Sequence, residues 1–320
     1  QLPDVHDALW YETGTLGSAF FQLRPAQPET WRPGLLNRVA AADPVLGEVR
    51  VPVVLVLYAD SPEEPHITRE DVHQALFSGP APRGTITESY TEMSLGKFTV
   101  TGDTYGWVRS DLPLDSAMGN NGSLVGDLTG EFFMDALVEL DSSIDFTQYD
   151  NDGPDGIANS GDDDGMVDVV TFEYLEVAMS CGGPAIWPHR SSLTNRGVGP
   201  FETDDTGHDG TPIVVDSYFT QSAADCTGEN VQDAAVFAHE FGHVLALPDW
   251  YHWIDPSLGP AGRRWVLGCW ALMAAGSWGC GPVGESREPY GPAHMVGWSK
   301  NFLGWLDPTD PGEVWNLSLI

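Results

Sequence analysis

Hydrophobic positions along this chain fall into short blocks with two different periods. Residues 50–60 (RVPVVLVLYAD) hold a continuous β-branched run, the pattern of a short buried strand. Residues 68–77 (TREDVHQALF) read as a short helix. Thr85-Ile-Thr-Glu88 is a capping-box signature for a second helix reaching Ser94. Residues 97–101 (KFTVT) alternate like a strand. Residues 130–141 (GEFFMDALVELD) place Phe132, Phe133, Ala136, Leu137 and Leu140 on one helical stripe. Residues 167–174 and 212–219 read as two more strands. Asn230 is the expected N-cap of the next helix, with Asp233 near its first turn. Ala234, Phe237, Ala238, Phe241, Val244 and Leu245 then recur at helical spacing to about Leu245. Downstream the chain is rich in Gly and Trp, with no clear period until residues 292–304, which read as a closing helix. Residues 314–320 look like a strand cut mid-way, so a longer protein is expected. No repeat of 20–50 residues is present.

Residues 1–48 carry Pro3, Pro25, Pro28 and Pro33 and no periodicity, so they read as an N-terminal extension, a pro-segment remnant being one form of it. Residues 49–320 then form the main domain. Hydrophobic residues are 42% of the chain and aromatics 11%, enough for a packed core and too many for a disordered chain. Lys and Arg number 14 against 47 Asp and Glu, a net charge of −33. That excess makes nucleic acid and anionic membranes poor partners and favours bound cations. The longest strongly apolar stretch, residues 51–59, is far short of the ~20 residues a transmembrane helix needs. The first residues lack a basic start and an apolar middle, so either the protein is cytosolic or the precursor's start was removed. Cys181, Cys226, Cys269 and Cys280 form no CxxC pair, which leans toward two disulfides and export. Three pairings are open; Cys269 and Cys280 are close in sequence, and Cys181 with Cys226 would be the remainder.

The chemistry centres on His239-Glu-Phe-Gly-His243, an HExxH motif inside the expected helix. Positions four apart share a helix face, so His239 and His243 can present two imidazoles to one metal ion. Imidazole with oxygen ligands in a tetrahedral site suits Zn²⁺. Glu240 can reach water at the metal and act as general base, then return the proton to the leaving amine. A catalytic zinc needs a third protein ligand and an open position. Pro248 opposes helix continuation, so the chain turns near Ala246 and Asp249 can swing back toward the imidazoles. His252 and Asp255 are competing third ligands on the residues alone.

HEFGHVLALPDWY resembles the metzincin metallopeptidases, whose pattern is HExxHxxGxxH/D. With Asp as the last ligand and Pro before it, the segment resembles the immune inhibitor A-like secreted bacterial peptidases. ESYTEMSLGKF (residues 88–98), IWPHR (186–190), WALMAAGSW (270–278) and PAHMVGWSK (292–300) agree, so the likeness covers about residues 50–307. It implies an α+β zincin fold. An upper lobe, about residues 49–246, has a twisted mixed sheet with backing and active-site helices. A smaller irregular lower lobe, about 247–320, has a Met-turn and the closing helix, and substrate lies in the cleft between them. The resemblance makes Asp249 the third zinc ligand and Met273 the Met-turn residue, packed beneath the ligands. Two positions depart from the family: Ala246 stands where it has Gly, and Ala275 where some metzincins place an oxyanion-stabilising Tyr. A left-handed Ala would cost about 1 kcal/mol or more. Tyr290, His294 or zinc itself would then polarise the carbonyl.

Between Asp145 and Asp168 there are eight Asp and no Lys or Arg. Carboxylates spaced by two, with Gly for sharp turns, are how a loop wraps a hard cation in oxygen. The closing Glu of an EF-hand is missing. Asp150, Asp152, Asp162, Asp164 and Asp168 are the expected Ca²⁺ ligands, with Asp155 a further candidate, and the role is structural. His189 and Arg190 are expected to pair with surface acids. The sequence therefore points to a secreted zinc endopeptidase acting on proteins or peptides, with one catalytic zinc and one or more structural calcium ions. The alternatives are a calcium-binding adhesion or binding module with an inactive peptidase-like site, and a zinc hydrolase using Glu285 or Glu288 as third ligand.

Overall fold

The computed structural model describes residues 44–119, 125–253, 263–265, 267–278 and 292–307. Along the chain these form β1 (Gly47–Leu57), α1 (Arg69–His73), α2 (Ile86–Met93), β2 (Phe98–Arg109), α3 (Leu114–Met118) and α4 (Thr129–Leu140). Then come β3 (Val170–Tyr174), β4 (His189–Ser192), β5 (Phe201–Thr206), β6 (Pro212–Val215), β7 (Ser217–Ser222) and α5 (Ala234–Val244). The short strands β8 (Tyr251–Trp253) and β9 (Arg263–Trp265) and the helix α6 (Gly297–Phe302) follow. The fold is mixed α+β.

Five strands form the main sheet in the order β2-β1-β3-β7-β4. Neighbours pair in parallel except β4, which runs antiparallel along the edge against β7. Helices cover both faces of the sheet, which explains why β1 reads as an unbroken apolar run. Val51, Val53 and Leu55 face a core shared with Tyr90 and Met93 of α2 and Phe237 and Phe241 of α5. Val54 and Val56 face a second core with Phe132, Phe133 and Leu137 of α4.

Capping chemistry sets the helix starts. Thr85 and Glu88 exchange side-chain and backbone bonds in a complete capping box, and Thr68 with Asp71 makes another at α1. The N-cap of α5 is Asp233, whose side chain accepts from the Ala235 amide, and not Asn230, which bonds Asp225 instead. The single strand expected over residues 212–219 is two strands in different sheets. They part at Asp216, whose carboxylate and carbonyl take the amides of Thr194 and Leu193. β2 runs on to Arg109, well past the expected 97–101, because its Gly positions allow close packing. A Cβ at Gly102 would lie 2.4 Å from the Phe77 ring.

A disulfide joins Cys181, before β4, to Cys226, between β7 and α5. Cys269 is disulfide-bonded as well. Among the described residues no helix is long and apolar enough to cross a membrane. Residues 1–43 and 308–320 lie outside the described residues, and with them most of the expected extension and the expected last strand.

Candidate metal centre and active site

Helix α5 is buried almost throughout, between the sheet and the segment around Met273. Phe237 meets Phe219 of β7 edge-on, Phe241 meets Tyr90 edge-on, and the Tyr90 hydroxyl donates to the Ala238 carbonyl at 2.8 Å. This fixes the helix while His239 and His243 project from another face. The helix then ends in a Schellman turn: the Leu247 amide donates to the Gly242 carbonyl and the Ala246 amide to the His243 carbonyl, both at 3.0 Å. Ala246 takes the left-handed angle this turn requires, with φ +61°. The turn carries Pro248 and Asp249 back over the imidazoles.

Three ligand-type atoms meet there. Asp249 Oδ1 lies 3.2 Å from His239 Nε2 and 3.4 Å from His243 Nε2. All three atoms fall within 4.8 Å of one another. The far ring nitrogens are already committed. His239 Nδ1 is 2.8 Å from the Leu272 carbonyl, and His243 Nδ1 is 2.8 Å from the Leu247 carbonyl. A carbonyl only accepts, so each Nδ1 carries a proton, and in the neutral ring each Nε2 offers its lone pair to the centre.

Asp249 Oδ1 is buried and receives no hydrogen bond of good geometry, although both imidazoles are near. Burial disfavours a charged His243, but the Asp249 carboxylate beside it, with Glu240, raises it to about 9. The two imidazoles in turn hold the Asp249 carboxyl well below the usual range, against the effect of burial. The pocket is therefore built for a positive charge between the three groups. His239 is 8% exposed while His243 and Asp249 are 23% and 31%, so the centre is open on one side. Glu240 is buried next to it.

Met273 lies directly under the helix. A Cβ at Gly242 would sit 2.4 Å from the Met273 sulfur. The Met273 carbonyl accepts from the Trp250 amide at 2.6 Å, next to Asp249, and a tight turn returns the Ala274 and Gly276 amides to Ala271. Sequence reasoning missed Leu272 and Leu247, whose carbonyls orient the two imidazoles. Backbone acceptors leave no residue-type signal.

The His294 ring is not at the centre. Its Nε2 lies 3.4 Å from Glu92 and its Nδ1 3.4 Å from the Lys300 ammonium. Tyr290, Asp255, Glu285 and Glu288 lie outside the described residues, as does the His252 side chain. His189 does not pair with a surface acid. His189 is held between the Tyr218 hydroxyl and the Trp187 carbonyl, and burial lowers it to about 3; Arg190 reaches Ser217.

In the acidic loop Asp150, Asp152 and Asp163 come within 4.8 Å of one another. Asp150 is buried; one oxygen accepts the Gly165 amide, and the other is buried without a hydrogen bond. Burial and the charges of Asp163, Asp164 and Asp152 raise its carboxyl to about 7. Asp163 was not among the expected ligands. Asp162, which was, turns outward to the Ser160 hydroxyl and the Asp155 amide. Asp164 accepts the Met166 amide, and Asp168 is buried behind the loop; neither joins the three. Asp155 bonds the Ile157 amide.

Residues 66–306 match the immune inhibitor A peptidase M6 catalytic domain. The chain belongs to this family. Two relatives bear it out. The pre-pro-metalloprotease PrtV of Vibrio cholerae serotype O1 is 28% identical over 301 residues, covering 83% of this chain and 31% of that protein. Immune inhibitor A of Bacillus thuringiensis subsp. alesti is 29% identical over 237 residues, covering 69% of this chain and 32% of its own length. The chain thus spans about a third of the curated relatives it matches. What it shares with the immune inhibitor A peptidases is a metallopeptidase catalytic domain.

Proposed function

We propose that this chain is the catalytic domain of a secreted zinc endopeptidase acting on proteins or peptides. The observation that carries the reading is the meeting of His239 Nε2, His243 Nε2 and Asp249 Oδ1 at one point, 3.2 and 3.4 Å apart. Tetrahedral zinc with bonds of ~2.0–2.1 Å sets its ligand atoms ~3.3–3.4 Å apart, which the two separations from Asp249 match. When bound, zinc supplies Lewis acidity, bringing the pKa of water toward ~7 and polarising the scissile carbonyl. Glu240 accepts the proton of the attacking water and delivers it to the amide nitrogen as the C–N bond breaks. A carboxylic acid and an amine leave.

The metzincin lobes are part of this reading. The upper lobe ends at the Ala246 turn, and the lower lobe brings Met273, as the Met-turn, beneath Gly242. Ala246 adopts the left-handed angle despite its Cβ, so its departure from Gly leaves the turn intact and weakens one of the two supports for an inactive binding module, the other being Ala275. The disulfide supports secretion, because cytosolic thiols are kept reduced. A structural calcium is assigned to Asp150, Asp152 and Asp163, whose crowded carboxylates a divalent cation would neutralise.

Metal analysis tests the ligand set. The parent should hold one zinc per chain after dialysis, while His243→Ala and Asp249→Ala should fall well below stoichiometry. Full zinc retention by Asp249→Ala would overturn the assignment and favour Glu285 or Glu288.

A further inference from the structure

A cavity of about 750 Å³ opens at the N-terminal end of α5, away from the three metal-ligand candidates. Its walls come from the turn before α2, from the two loops joined by the Cys181–Cys226 disulfide, and from the segment after Met273, ending at Trp278. Trp278 and Val231 supply apolar wall, while Asp71, Asp225 and Asp233 supply carboxylates. Arg83, the one Lys or Arg among the lining residues, is 3.2 Å from Asp233.

Three carboxylates, Asp71, Asp225 and Asp233, against that one guanidinium leave negative charge in excess. The donors to Asp71 and Asp225 are neutral: Thr68 bonds Asp71, and Thr227 and Asn230 bond Asp225. The Thr68 bonds hold the Asp71 carboxyl below its usual range; for Asp225, the bonds from Thr227 and Asn230 outweigh the opposing effect of burial. Both are anions at neutral pH. The cavity thus pairs apolar wall with excess negative charge, which fits a long aliphatic stem ending in a cation.

We propose that this cavity is a side-chain subsite of the peptidase and takes an Arg or Lys of the bound peptide. The peptide itself rests on the metallopeptidase reading above. Asp233 precedes His239 by six residues, about 9 Å along a helix, and an extended peptide advances ~3.3 Å per residue. The basic residue therefore lies within about three positions of the scissile bond. The stem packs on Trp278 and Val231, and the head group reaches Asp225 and Asp71.

Paired peptides that differ only as Arg or citrulline test this, since citrulline keeps the shape and loses the charge. Binding is measured to the Glu240→Ala variant, with the substitution walked through three positions on each side of the scissile bond. Arg should bind at least tenfold tighter than citrulline at one position. Asp225→Asn and Asp71→Asn should each shrink that ratio to threefold or less, with the affinity of the citrulline peptide unchanged. Raising salt from 0.05 to 0.5 M should shrink it in the otherwise unaltered Glu240→Ala protein, which needs no pocket variant to fold. Equal binding of Arg and citrulline at every position, no binding of either, or ratios indifferent to both Asp variants and salt would overturn the subsite. An Arg preference that persists while the parent cleaves no peptide would instead overturn the peptidase reading and leave the subsite standing.

Discussion

At Ala246 and Glu173 a single residue sets a measurable quantity. Ala246 holds φ +61° at the end of α5, where only Gly is free of strain. Ala246→Gly should therefore raise stability by about 1 kcal/mol, a gain of ~2–4 °C in melting temperature for a domain of this size. A lower melting temperature would contradict the assigned turn. Glu173 is buried in β3 with the Gln221 amide donating to it at 2.6 Å, and burial raises its carboxyl to about 8. An unfolded Glu titrates near ~4.3. Between those values the folded chain keeps a proton that the unfolded chain has released. The Glu173 contribution is thus full below the unfolded value and is lost as pH rises toward about 8. Urea unfolding from pH 5 to 8 should show the parent losing stability relative to Glu173→Gln, by up to ~1.4 kcal/mol per pH unit. Parallel curves would show that Glu173 is ionised in the fold.

At the scale of elements, the Thr85 capping box, the buried strand β1 and the apolar stripe of α5 were legible because each has a local cause. The HExxH spacing and Pro248 likewise announced two imidazoles and a turn. What sequence could not show depends on distant neighbours. β2 continues through Gly102 and Gly106 because Phe77 and β1 approach there. The break at Asp216 exists because that residue ties down residues 193 and 194. The acidic loop was legible as a cluster of carboxylates by composition, but which of them converge is a matter of loop path. Gly153 lets the chain pass against Asp162 and Asp163, and Asp163 rather than Asp162 turns inward. Calcium should accordingly raise the melting temperature of the parent. Asp150→Asn and Asp163→Asn should abolish that shift, and Asp162→Asn should retain most of it. Equal loss in all three variants would contradict the assigned ligands.

For the whole molecule, the sheet is closed over by chain from both ends. The Val45 amide donates to the Leu303 carbonyl, and the Trp305 indole donates to the Val45 carbonyl at 2.6 Å. The Cys181–Cys226 disulfide bridges 45 positions across the face that carries the cavity. Replacing both cysteines with Ser should lower stability by ~2–4 kcal/mol, read from denaturant midpoints; no change would mean that other contacts already hold those loops. All of this architecture serves one helix, one turn and the segment under Met273, which bring two imidazoles, a carboxylate and Glu240 to a single open centre. The most direct test is cleavage of denatured casein by the parent beside a Glu240→Ala variant, with zinc content measured on both. The account predicts that the parent cleaves and the variant does not, with equal zinc in the two. Equal cleavage by both proteins, or none by a fully zinc-loaded parent, would contradict it.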